Sequence, residues 1–141
     1  MCRFVSERKD DLAIRVLPSV PEVLVHLRAQ GAILGVATGN LEGIGRTKLA
    51  HAGLLDRFHF GGYSDAHENR SEVFAAALAQ ARALTGPRAR VCVVGDTPED
   101  IRAARANRLH IIAVATGIFS VEELELEHPT RCVATLEELM L

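Results

Sequence analysis

Two acids stand four positions apart in the run Val93-Val94-Gly95-Asp96-Thr97-Pro98-Glu99-Asp100, directly after an apolar stretch. Part of this run reads as a helix start. The Thr97 hydroxyl can cap, Pro98 suits the first helical position, and acids in a first turn complement the helix dipole. Capping leaves Asp96 unexplained, because a carboxylate at the mouth of an apolar strand is costly unless it meets a cation or a base. Mg2+ takes one or two protein carboxylates, keeps several waters and is completed by phosphate oxygens, so Asp96 with Asp100 could form half a Mg2+ site. A second loop, Gly35-Val36-Ala37-Thr38-Gly39-Asn40, brings a hydroxyl out of an apolar strand onto a glycine turn and a helix N-terminus, an arrangement suited to an anion. It reads equally as a plain strand-to-helix turn capped by Thr38 or Asn40. Arg70, ahead of a helical run, reads by itself as an ordinary solvated charge.

The elements that must position these residues alternate along the chain. Helical spacing over Pro21 to Gln30 is stopped by Gly31 and followed by the apolar run Ala32 to Ala37. A second helical pattern runs to about Ala52 and ends at Gly53, and Phe58 to Tyr63 is a small strand. The Ala- and Leu-rich stretch Ser71 to Leu84, with Ser71 as its cap and Gly86-Pro87 beyond it, predicts a third helix. Then follow strand Arg90 to Val94, helix Pro98 to Asn107, strand His110 to Ala115, helix Val121 to Leu126, short strand Arg131 to Ala134 and closing helix Leu136 to Met140. Near-continuous apolar strands joined by helices predict an α/β fold with a doubly wound parallel sheet. In such sheets ligands bind beyond the carboxyl ends of the strands, where both loops would lie.

Composition narrows the classes. A chain of 141 residues, 48% hydrophobic, suits one domain. With 16 basic and 18 acidic side chains intermixed and a formal charge of -2, it advertises no nucleic-acid face. No apolar run approaches the roughly 18 residues of a membrane span, and no signal-peptide pattern opens the chain, so a cytoplasmic protein with no membrane partner is expected. Cys2, Cys92 and Cys132 form no CxxC pair, and Cys92, inside an apolar run, is expected to be a buried reduced thiol. Gly43-Ile44-Gly45 belongs to neither a dinucleotide fingerprint nor a P-loop, and the six histidines fall in no metal-ligand spacing.

The ordered segments GVATGN, HENRSEV and VVGDTPEDIRAA resemble motifs II, III and IV of the haloacid dehalogenase-like (HAD) superfamily, nearest its phosphoglycolate-phosphatase-like branch, over about Leu17 to Gly117. The resemblance implies a Rossmann-like core and Mg2+-dependent hydrolysis of a small phosphorylated metabolite through an aspartyl-phosphate. Thr38, with Gly39 and Asn40, would hold the phosphoryl group and Arg70 would stand at the motif III position, where most relatives have lysine. Asp96 would ligand Mg2+, and Asp100 would order metal waters or pair with the motif III cation. The family's first motif is Asp-x-Asp, nucleophile and general acid/base, at the end of a central first strand. No Asp-x-Asp stands in this chain, and Asp10-Asp11 follows no apolar strand.

The expectation is therefore a truncated chain that is inactive by itself, with residues 1–16 a remnant of cap or linker and 17–141 the core, the first strand and most of the cap being missing. Its alternative is a non-catalytic binding or assembly module that retains only a phosphate and Mg2+ half-site. A gap between the motif II and motif IV strands would be closed by a neighbouring chain in a homo-oligomer or by strand exchange, by Met1 to Ser6 as a surrogate strand, or by direct pairing of the flanking strands.

Overall fold

The computed structural model describes residues 5–7, 14–16, 20–38, 41–65, 69–88, 90–115 and 118–140. Strands β1 (Val5–Glu7) and β2 (Ile14–Val16) pair antiparallel, with Ser6 opposite Arg15. Helix α1 (Val20–Ala29) leads to β3 (Gly35–Ala37), then α2 (Glu42–His51), a 3-10 turn at Leu55–Arg57, and β4 (Phe60–Gly62). The long α3 (Arg70–Thr85) crosses to β5 (Cys92–Gly95), α4 (Pro98–Ala106) to β6 (His110–Val114), and α5 (Val121–Glu125) to β7 (Arg131–Val133). Within these elements β3 is parallel to β4, and β5, β6 and β7 form a parallel sheet in that order.

Alternation along the strands sorts the core into two layers. Leu34, Val36, Val94, Val114 and Val133 pack with Val20, Val23 and Leu24 of α1, Leu49 of α2 and Leu136. Ala37, Val93, Ile111 and Ala113 face the other way and pack with Val73, Phe74 and Ala77 of α3, Ile101 and Ala104 of α4 and Leu124 of α5. Each fully buried Val or Leu is worth about 1.5–3 kcal/mol, so these two layers supply the main stabilisation of the doubly wound fold. Among the described residues no helix is long and apolar enough to cross a membrane.

Several expectations are corrected. The sheet is in two parts, since β3 and β5 share no ladder, so the flanking strands do not pair directly. Of the Met1 to Ser6 segment, residues 1–4 lie outside the described residues, and Val5–Glu7 takes Ile14–Val16 as its partner. Helix α3 is capped by Asn69, whose side-chain oxygen accepts from Glu72 N–H at 2.9 Å, which puts Ser71 inside the first turn rather than at the cap. The closing segment Leu136–Met140 is a 3-10 helix, too short to pay the nucleation cost of an α-helix without help, and it is tied by the Glu138 carboxylate to the N–H groups of Ala134 and Thr135. Cys92 is exposed rather than buried, because it opens the apolar run at the rim of a cavity between the two sheets. The cavity walls still desolvate its thiol enough to push its pKa up.

The close fit of α3 on β4 depends on Gly62, where a Cβ would come to 2.6 Å from the Val73 carbonyl oxygen and 2.9 Å from the Ala77 Cβ. Gly62→Ala is expected to lower stability by about 1–3 kcal/mol through overpacking, read from the urea midpoint. An unchanged midpoint would mean that strand and helix are not in backbone contact.

Candidate active site

The loop after β5 is built around Asp100, which is only 2% exposed. Thr97 caps α4 by accepting from Asp100 N–H at 3.1 Å, and Pro98 follows at the first helical position. The Asp100 carboxylate turns back and accepts from the N–H groups of Thr97 and Asp96, both at 3.2 Å, through Oδ2. Its other oxygen, Oδ1, accepts from Arg70 Nη1 at 2.6 Å. Every group that a buried carboxylate needs is thus supplied, which lets the charge persist away from water. Gly95 is part of the same fit, since a Cβ there would come to 2.7 Å from the Asp100 Cβ and 2.8 Å from Oδ2.

Arg70 is the first residue of α3, and three groups of the β5–α4 loop surround its guanidinium. Besides Asp100, Nη1 lies 3.5 Å from Thr97 Oγ1 and Nη2 lies 3.9 Å from the Glu99 carboxylate. The loop after β4 is therefore joined to the loop after β5, so both sheets present their carboxyl ends on one side. Asn107 closes the far end of this join, donating from Nδ2 to the carbonyls of Ser71 and Ala103, each at 2.9 Å.

Thr38 follows β3 at the same end and is 6% exposed, with its N–H donating to the Gly62 carbonyl at 3.1 Å. Gly45 of α2 passes close to it: a Cβ at Gly45 would come to 2.9 Å from the Tyr63 ring and 3.4 Å from Thr38 Cγ2. Burial pushes the Tyr63 phenol above its ordinary pKa, with Arg46 pulling the other way. Gly39 and Asn40 lie outside the described residues, as does His67. Asp96 is part-exposed at the mouth.

The structure thus brings Arg70, Thr97 and Asp100 into one bonded group, with Asp96 joined through its backbone. Both Asp100 oxygens are engaged in that group, which leaves Asp96 as the carboxylate at the mouth. Among the described residues no group of three His, Cys, Asp or Glu side chains is arranged to hold a metal ion. A single carboxylate can still suit Mg2+, which takes one or two protein carboxylates and is seldom caged by protein alone. Sequence reasoning weighed Gly45 only against nucleotide motifs and Tyr63 only as a strand end. The signal was available in the GGY and GIG runs, where small residues permit close approach, yet their meeting spans two elements.

Removing the Arg70 guanidinium strands a buried charge. Arg70→Met is expected to cost about 2–3 kcal/mol of stability in denaturant titration, and most of that cost should vanish in an Asp100→Asn background. Equal costs in both backgrounds would show that the two side chains are not coupled.

Comparison with known proteins gives a consistent picture. A family model described as HAD-hydrolase-like matches residues 70–139. PpaX of Caldanaerobacter subterraneus, which carries the name of a pyrophosphatase, is 28% identical over 144 residues, taking in 98% of this chain and 63% of PpaX. A haloacid dehalogenase-like family hydrolase from Streptococcus pneumoniae superposes with a TM-score of 0.80 at 16% identity, over 90% of this chain and 59% of that one. The Mycobacterium tuberculosis protein tyrosine kinase A superposes with a TM-score of 0.70 at 28% identity, over 89% of this chain and 59% of its own. The chain spans less than two thirds of the length of each of these relatives. The matched segment is thus similar to HAD-like hydrolases, and the superpositions show that the chain shares their fold.

Proposed function

We propose that this chain carries the metal- and phosphate-holding side of a Mg2+-dependent phosphomonoesterase acting on a small phosphorylated metabolite in the cytoplasm. The observation that carries the reading is the bonded group of Asp100, Arg70 and Thr97, which spends a buried carboxylate on fixing a cation and a loop at the ligand-binding end of the sheet. A fold of this kind hosts more than one chemistry, as the kinase among its relatives illustrates, so the reaction is argued from the site.

In this reading Asp96 would hold the Mg2+, which neutralises phosphate charge when bound. Thr38 donates its hydroxyl to a phosphoryl oxygen, and by the family resemblance Gly39 and Asn40 belong to the same anion site. Arg70 has five donors, and those not taken by Asp100 and Thr97 can face phosphate oxygens. Asp100 touches no substrate; it is a positioning residue that keeps Arg70 from swinging to solvent. Phosphoryl transfer in the complete family enzyme passes through an aspartyl-phosphate, and the Asp that would form it is not among these residues, which contain no Asp-x-Asp.

The test has two arms. With Mg2+ present the purified chain is expected to bind inorganic phosphate in calorimetry and to lose that binding in Asp96→Asn, while leaving p-nitrophenyl phosphate unhydrolysed. Turnover that requires Asp96 would show that the chain contains its own nucleophile. Phosphate binding that ignores both Mg2+ and Asp96→Asn would sink the metal assignment.

A further inference from the structure

We propose that a basic cavity at the amino ends of β6 and β7, opposite the candidate active site, binds a short aliphatic dicarboxylate. The cavity holds about 200 Å³ and lies between the end of α4 and the turn that leaves α5. Arg105, Arg108 and His128 line it without any acid, and Ile101, Leu109 and Ile111 complete the wall beside Thr130.

The way the helices end singles this corner out. Helices α1, α2 and α3 are each followed by a glycine of positive φ, at Gly31, Gly53 and Gly86, because glycine enters the left-handed region without strain. Beyond α4 and α5 the same role falls to Arg108, at φ 56°, and His128, at φ 57°. These are the only non-glycine residues of positive φ among the described residues. Arg108 closes α4 as glycine usually does: its N–H donates to the Arg105 carbonyl at 3.0 Å, and Leu109 N–H donates to that of Ala104 at 2.9 Å. His128 N–H donates to the Glu125 carbonyl at 3.0 Å, and Pro129 follows. Glycine would end both helices with less strain, so helix termination does not account for two basic side chains on one cavity.

Nor does the helix dipole account for them all. Cations are favoured at helix ends, and Arg105 meets that need by donating from Nη2 to the carbonyls of Glu127 and His128. Arg108 makes no side-chain hydrogen bond or ion pair among the described residues. The Glu127 carboxylate, next to His128 in the chain, is drawn off by Arg102 at 3.0 Å and does not line the cavity.

The lining sets the ligand. Two guanidinium groups, each suited to a carboxylate, call for two negative groups on one molecule. Arg105 uses only Nη2 for the carbonyls, which leaves its Nε and Nη1 donors for the ligand. The part-exposed Leu109, with Ile101 and Ile111, makes the floor apolar, so a hydrocarbon linker between the two acids suits it better than bare phosphate does. The volume admits a chain of a few carbons. Binding here needs neither Mg2+ nor Asp96, so it stands or falls separately from the phosphomonoesterase reading.

The probe is glutarate, titrated without Mg2+ into the intact chain. One-to-one binding is expected, with NMR shifts at the Arg108, Leu109 and His128 amides and none at Thr38 or Asp96. Arg108→Gly is expected to weaken binding by about tenfold or more while leaving the melting temperature at or above its starting value, because glycine relaxes the backbone as it removes the cation. Arg108→Asn, also suited to a left-handed position, should behave alike. No saturable binding by the starting protein, or equal affinity in both variants, would overturn the proposal. So would equal competition by inorganic phosphate, since the cavity would then read charge alone, or tighter binding of an oligoglutamate peptide than of glutarate, which would mark a protein interface instead.

Discussion

A single buried carboxylate organises the functional end of this protein. Asp100 sits where water cannot serve it, and three donors converge on its carboxylate, two backbone N–H groups of its own loop and the Arg70 guanidinium, while its own N–H donates to Thr97. Leaving any of these unmade would cost the desolvation of a charged group. The loop after β5 is consequently folded back on the first turn of α4, Gly95 must lack a side chain to let the carboxylate in, and α3 must begin where Arg70 can reach. The cation and the part-exposed acid Asp96 are set in place as by-products of satisfying one buried group.

The same constraint links the two sheets. Where β3 and β5 share no ladder, the join is made by side chains: Arg70 across the carboxyl ends, Asn107 between α4 and α3, and the two apolar layers that include residues from both sheets. Helices on both faces can hold two half-sheets in register because their packing depends on side-chain layers rather than on the interstrand ladder.

Much of the fold is legible in sequence. The alternation of apolar strands with helices, the glycine stops at Gly31 and Gly53, both with positive φ, and the Thr97-Pro98 start of α4 all appear as predicted, with boundaries displaced by a few residues. Motif order was legible for the same reason: residues four apart on a helix start, or directly after an apolar strand, have their geometry fixed by local backbone. The cap of α3 was misread because Asn69 and Ser71 both suit the role and only the path of the incoming chain selects between them. The two-part sheet could not be read from periodicity, since a strand looks the same whether it has one neighbour or two.

By itself, then, the sequence determined the layers, the direction of the strands and the positions of Thr38, Arg70, Asp96 and Asp100 at element ends, because period, caps and turns are local properties. Only the tertiary structure decided what those residues do to one another. Arg70 and Asp100 are thirty positions apart, and their pairing at 2.6 Å depends on α3 crossing from one sheet to the other, with Val73 and Ala77 seated on β4 and Asn107 tying its start to α4. Burial of Asp100 likewise exists only once Gly95, Thr97 and α3 are assembled around it, and burial is what turns an ordinary helix-capping acid into the fixed point of the site.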